Sequence, residues 1–154
     1  MREVKEALSE FLNQKDFKEK LDRIHQFPPK KAINAIFTFL YSSDEIIKEN
    51  AVLAMGEVVS KLAIEDVEYA RVIMRRLMWS LNDESGGIGW GAPLAMGEIM
   101  ARSDKMAEEY HKILISYVIE DRNPLEFKEL QKEAVLGLQR LYAVRPDLVQ
   151  KTLI

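Results

Sequence analysis

The chain has 154 residues, 47% of them hydrophobic and 31% charged, with a formal net charge of −3. This length and balance predict one domain able to bury about two-thirds of its unfolded surface, and they exclude a disordered chain. The lack of cysteine excludes a disulfide framework and a thiolate metal site, and the mild acidity excludes a global attraction to nucleic acid or anionic membrane.

Apolar residues fall at helical spacing almost throughout. Val4, Leu8, Phe11 and Leu12 predict a first helix, and Phe17, Leu21 and Ile24 a second. Pro28-Pro29 opens a third, because proline is accepted in a first helical turn; its stripe is Ala32, Ile33, Ile36, Phe37 and Leu40. Ser42-Ser43-Asp44 interrupts, and a long helix follows from about Glu45 to Leu62. Val67, Ala70, Met74, Leu77, Met78 and Leu81 stripe the next, and Met106, Tyr110, Ile113, Leu114 and Tyr117 another. Phe127, Leu130, Ala134, Leu138 and Leu141 stripe the last long helix, and Pro146-Asp147 begins a short terminal one. No segment alternates as a strand does, so the predicted fold class is all-α. No run approaches 18 apolar residues and no signal core follows Met1, so a cytoplasmic protein without a membrane segment is expected.

Three stretches are versions of one another: Asn50–Val59, Gly91–Met100 and, more worn, Glu133–Tyr142. The interval from Ala51 to Ala92 is 41 residues and from Ala92 to Ala134 is 42. A period near 40 in a helical chain is the mark of stacked helix pairs. Ala51, Ala54 and Gly56, and their equivalents Ala92, Ala95 and Gly97, are small so that neighbouring helices can approach closely. Asp44, Ile47-Lys48, Ala51 and Ala54-Met55-Gly56 resemble the HEAT-repeat pattern, an aspartate in the turn followed by an aliphatic-basic pair and an Ala-x-x-Ala-Leu-Gly run. The resemblance covers about residues 28–143 and implies a short right-handed α-α solenoid of about three helix pairs, an armadillo-like architecture. It would be capped by 1–27 and 144–154. It also implies a non-enzymatic scaffold that binds a protein or peptide, with no cofactor and no metal, and with nucleic acid disfavoured. The terminal segment from Leu148 to Ile154 is a candidate for pairing with a second subunit.

The second unit breaks the pattern in Asp83-Glu84-Ser85-Gly86-Gly87-Ile88-Gly89-Trp90-Gly91-Ala92-Pro93. Each glycine costs a helix roughly 1 kcal/mol, so the first turns of the repeat's second helix are predicted to become loop, with Pro93 in the opening turn of a shortened helix. Successive glycine amides beside a helix N-terminus suit a phosphate, a carboxylate or a carbonyl. The candidate recognition residues are therefore Trp79, Asp83, Glu84, Ser85, Gly86, Gly87, Gly89, Trp90 and Gly91. The competing expectation is that Trp90 plugs a groove between repeats and the glycines accommodate it. A small molecule or anion at this loop is the alternative ligand. A remoter reading follows from HEAT-like alkylpurine DNA glycosylases, which work with aromatic residues and an aspartate, as Trp79 and Asp83 superficially suggest.

Glu57 and Glu98 share one repeat position and are expected either as a solvated acidic ridge or as a pair binding a cation or basic peptide. Arg71, Arg75 and Arg76 form a candidate basic patch on one helix. His25 and His111 stand alone and are expected at the surface or at helix ends. The methionines read as adaptable core filler.

Overall fold

The computed structural model describes residues 2–82, 85 and 87–153. Among them every regular element is helical. The order is α1 (Arg2–Leu12), a 3-10 helix (Phe17–Gln26), α2 (Pro29–Phe39), α3 (Glu45–Glu65), α4 (Val67–Ser80), α5 (Ala92–Arg102), α6 (Asp104–Ser116), α7 (Lys128–Val144) and α8 (Pro146–Leu153). The second predicted helix is thus a 3-10 helix, unusually long for that geometry.

Local chemistry starts the helices where the sequence marks them. The Asp44 carboxylate accepts hydrogen bonds from the amides of Ile46 (2.9 Å) and Ile47 (3.3 Å), satisfying two donors of the first turn of α3. Asp66 caps α4 through the Tyr69 amide, and the Ser103 hydroxyl caps α6 through the Met106 amide. The glycine run does displace the start of α5. That helix begins at Ala92, with Pro93 in its first turn, whereas the equivalent α3 begins at Glu45.

Helices α3, α5 and α7 lie side by side, α5 packing extensively on both neighbours. The chain alternates between this row and the helices that pack against it, α2 on α3, α4 on α3 and α5, and α6 on α5 and α7. Ala51, Ala54, Ala92 and Ala95 are all buried, as the small-residue signature requires. Met55, Met74, Met96, Met100 and Met106 are fully enclosed and fill the core, with Met78 packed against it.

The tightest seam is between α5 and α7. A Cβ at Gly97 would stand 2.4 Å from the Gly137 carbonyl oxygen, and one at Gly137 would stand 2.5 Å from the Pro93 carbonyl oxygen. Backbone meets backbone there, so nothing can yield.

On the other side of the row, α4 and α6 are tied by Arg71. Its Nε and Nη2 donate to the two Glu109 carboxylate oxygens at 2.8 and 2.7 Å, a bidentate pair. These bonds, with help from Lys105, hold the Glu109 carboxyl at about 2, well below the usual 4.5.

Gly97→Ala should lower stability in urea unfolding by about 1–3 kcal/mol through overpacking. Gly87→Ala, where an added Cβ meets nothing within 4 Å, should stay within about 0.5 kcal/mol of the parent. Because the Glu109 carboxyl titrates lower in the folded chain than in the unfolded one, its contribution is complete above pH 4.5 and disappears as pH falls towards about 2. The stability gap between the parent and Glu109→Gln should therefore shrink across that interval in urea titrations run at successive pH values.

Candidate functional site

The glycine-rich segment and the α3/α5/α7 row meet at the start of α5. Gly89 and Gly91 both have φ of +82°, a region that L side chains rarely adopt. Their surroundings are equally restrictive: a Cβ at Gly89 would meet the Ser80 carbonyl oxygen at 2.7 Å, and one at Gly91 would meet Leu40 at 2.9 Å. These two glycines therefore seat the loop on the ends of α4 and α2.

The amide of Gly91 is not free. It donates to Glu133 Oε1 at 2.8 Å, and Glu133 Oε2 accepts from Lys48 Nζ at 2.7 Å. The carboxylate expected from a ligand at this helix N-terminus is supplied by α7 of the chain itself, and α3 supplies the neutralising ammonium. Both side chains are largely enclosed, 17% exposed for Lys48 and 10% for Glu133. The Lys48 ammonium lies 6.0 Å from the centre of the Trp90 ring, which is half-buried against the core. Trp90 thus closes over an internal ion pair.

The other described residues of the predicted site lie about the end of α4. Trp79 sits near the end of α4, 51% exposed. The Ser85 hydroxyl donates to the Ser80 carbonyl at 3.3 Å and accepts from the Gly87 amide at 3.2 Å, a local turn contact. Gly87 lines a cleft of about 370 Å³ with Met78, Leu81, Asn82, Ile88, Tyr117 and residues 123–127. Asp83, Glu84 and Gly86 lie outside the described residues.

Glu98 differs from the solvated ridge that its sequence position suggests. It is 5% exposed and accepts from Arg102 Nε at 2.6 Å and from Arg140 Nε and Nη2 at 2.9 and 3.2 Å. Arg102 Nη1 also donates to Glu57 Oε1 at 3.2 Å, and Glu57 Oε2 meets His25 Nε2 at 2.7 Å. A chain of alternating charge therefore runs from Glu57 on α3 through Arg102 and Glu98 on α5 to Arg140 on α7, with His25 of the 3-10 helix hydrogen-bonded at its α3 end. Gly56 makes room for it, since a Cβ there would stand 2.5 Å from Glu98 Cγ.

Two other expectations are corrected. His111 is buried, its Nδ1 donating to the Ala107 carbonyl at 2.8 Å and its Nε2 lying 2.9 Å from the Thr152 hydroxyl; it fastens α8 to α6. The arginines of α4 are engaged within the chain. Arg71 and Arg75 bond Glu68, and Arg76 donates to Asn34 at 2.7 Å while stacking 3.9 Å above the Phe37 ring.

What the row of helices leaves open is apolar. Leu53, Leu94 and Leu136 occupy one repeat position, 41 and 42 residues apart, and line a single cleft of about 420 Å³. Lys48 and Glu133 also line it, with Glu45, Glu49 and Lys18 around it. Leu53 and Leu94 are half-buried and Leu136 is 54% exposed. The offsets of 41 and 42 residues that align the alanines align these leucines too.

No protein-family model matches the chain, and no solved structure matches it. It is similar to a protein of Archaeoglobus fulgidus described only as uncharacterized, 33% identical over 93 residues, which are 60% of this chain and 45% of that protein. The chain therefore matches less than half of that relative's length. No helix among the described residues is long and apolar enough to cross a membrane.

Removing the cap on α5 provides a direct check. Glu133→Ala leaves the enclosed Lys48 unpaired and the Gly91 amide without its acceptor, and should cost about 3 kcal/mol in thermal or urea unfolding. Glu133→Gln keeps an acceptor for Gly91 and should cost less.

Proposed function

We propose that the chain is a short HEAT-like α-solenoid that serves as a protein- or peptide-binding module, and that its recognition surface is the open side of α3, α5 and α7. The observation that carries this reading is the strip Leu53–Leu94–Leu136. Three leucines at one repeat position, on three adjacent helices, line one cleft, Leu53 and Leu94 half-buried and Leu136 exposed, with charged residues around them. Burying a leucine is worth roughly 1.5–3 kcal/mol, so a partner with a matching apolar ridge gains affinity there. An amphipathic helix is one such partner, its anchors recurring at three- and four-residue spacing.

The glycine-rich loop has an indirect part in this reading. It delays the start of α5 and places the half-buried Trp90 ring beside the Lys48 ammonium, next to the Lys48–Glu133 pair that lines the cleft. A rigid ion-paired base beneath an apolar strip suits recognition by shape, without rearrangement of the module.

The test is selection of helical peptides from a displayed library, followed by calorimetry and amide chemical-shift mapping. Selected binders are expected to perturb α3, α5 and α7, and Leu136→Asp should weaken them at least about tenfold, or 1.4 kcal/mol, with the melting temperature unchanged. Binders that map elsewhere, or that ignore Leu136→Asp, would refute the assignment of this surface.

A further inference from the structure

We propose that the α3/α5/α7 face pairs with the same face of a second copy of the chain, about a two-fold axis running parallel to α5. This rests on the reading of that face as the recognition surface and names its occupant.

The argument begins with three ridges at four-residue spacing. On α3 the ridge is Glu45, Glu49, Leu53 and Glu57; on α5 it is Leu94 and Glu98; on α7 it is Lys128, Lys132, Leu136 and Arg140. Residues related by the repeat stand at equal height. Leu53, Leu94 and Leu136 share one cleft, and Glu98 bonds both Arg140 and the Arg102 that reaches Glu57. Lys48 of α3 and Glu133 of α7 offset each other in the cleft, and Glu57 and Arg140 are bonded within the chain. The face therefore carries free acidic charge at Glu45 and Glu49 on α3, leucines across its middle and free basic charge at Lys128 and Lys132 on α7.

Isologous pairing needs a surface complementary to itself. A two-fold axis in the interface and parallel to α5 exchanges α3 with α7 and preserves height. Glu49 of one copy then faces Lys132 of the other, Glu45 faces Lys128, Leu53 faces Leu136, and Leu94 meets its own copy on the axis. An axis across the helices would instead set α3 on α3 and α7 on α7, acid on acid and base on base. Charge selects the first arrangement.

The groups needed for it are available. Glu45, Glu49, Lys128 and Lys132 are exposed, and among the described residues none makes an ion pair within the chain. Lys18 reaches the same cleft and moderates the acidic side without cancelling two carboxylates. Leu136 is 54% exposed and forms one wall of the cleft of about 420 Å³, so each copy presents apolar surface at the height where Leu53 of the other would meet it.

The chain contains no cysteine, which makes Leu94→Cys a unique thiol on the proposed axis. Oxidation of this variant should give a covalent dimer, while Ile64→Cys, at a site 87% exposed on α3, should give none at equal concentration. In sedimentation equilibrium the parent should show a dimer mass that falls towards the monomer at high salt. Glu49→Lys and Lys132→Glu should each weaken association about tenfold, and the double exchange should restore it, with circular dichroism confirming that all three fold. A monomer at every concentration, a dimer indifferent to these exchanges, or a dimer that Leu94→Cys fails to cross-link would overturn the proposal. A monomer that still binds selected helical peptides through Leu136 would leave the recognition surface standing and remove only the self-pairing; loss of both would remove both.

Discussion

The contact of bare backbone on bare backbone between α5 and α7 is the constraint on which the other features depend. Helices separated by ordinary side chains lie about 8–10 Å apart and can slide by a residue at modest cost. Where Gly97 lies against Gly137, and Gly137 against Pro93, neither helix can slide or roll without driving atoms into each other. That register delivers Arg140 to Glu98 and Glu133 to Gly91. It also aligns Leu94 with Leu136. The glycines of the signature act as the index marks of the row, and the ion pairs are made where those marks put them.

Charge is handled differently inside the row and on its rim. Inside, Glu98 lies between Arg102 and Arg140, and Glu133 lies between Lys48 and a backbone amide. Enclosed charges of this kind contribute little net stability but penalise any packing that separates them, so they specify one arrangement more than they strengthen it. On the rim, the carboxylates of α3 at Glu45 and Glu49 and the ammonium groups of α7 at Lys128 and Lys132 remain solvated. Satisfied charge thus lies within the row and solvated charge along its edges.

Much of this was legible in the sequence because it is written locally. Asp44, Asp66 and Ser103 announce helix starts by their own side chains, and Gly89, Gly91 and Pro93 announce the late start of α5 by what their backbones permit or forbid. The buried alanines follow from their period. What stayed hidden is written across the fold. Nothing near Gly91 reveals that its amide will meet a carboxylate 42 residues later, and although Arg102 stands four residues from Glu98, nothing nearby reveals that Arg140 will join it from α7. A lone glutamate on a helix reads as a solvated one until its neighbours are known. His111 was hidden in the same way, since its partner Thr152 belongs to another helix, 41 residues on. The conformation of Phe17–Gln26 was hidden for another reason: the stripe of apolar residues there is common to tight and regular helices, and packing on α3 decides between them.

The reach of Glu133 back to Gly91 has a consequence for the order in which the chain takes shape. During synthesis α3 emerges with its own start signal, Asp44, immediately before it, and can close its first turn unaided. The opening of α5 has local signals too, the positive φ of Gly91 and the placement of Pro93 in the first turn, but the acceptor for its Gly91 amide comes only from α7. The seat of the glycine loop is therefore finished only after α7 has been made and docked. Docking of α7 therefore completes the seat of the glycine loop and the α5/α7 seam together, which makes these two helices one cooperative unit.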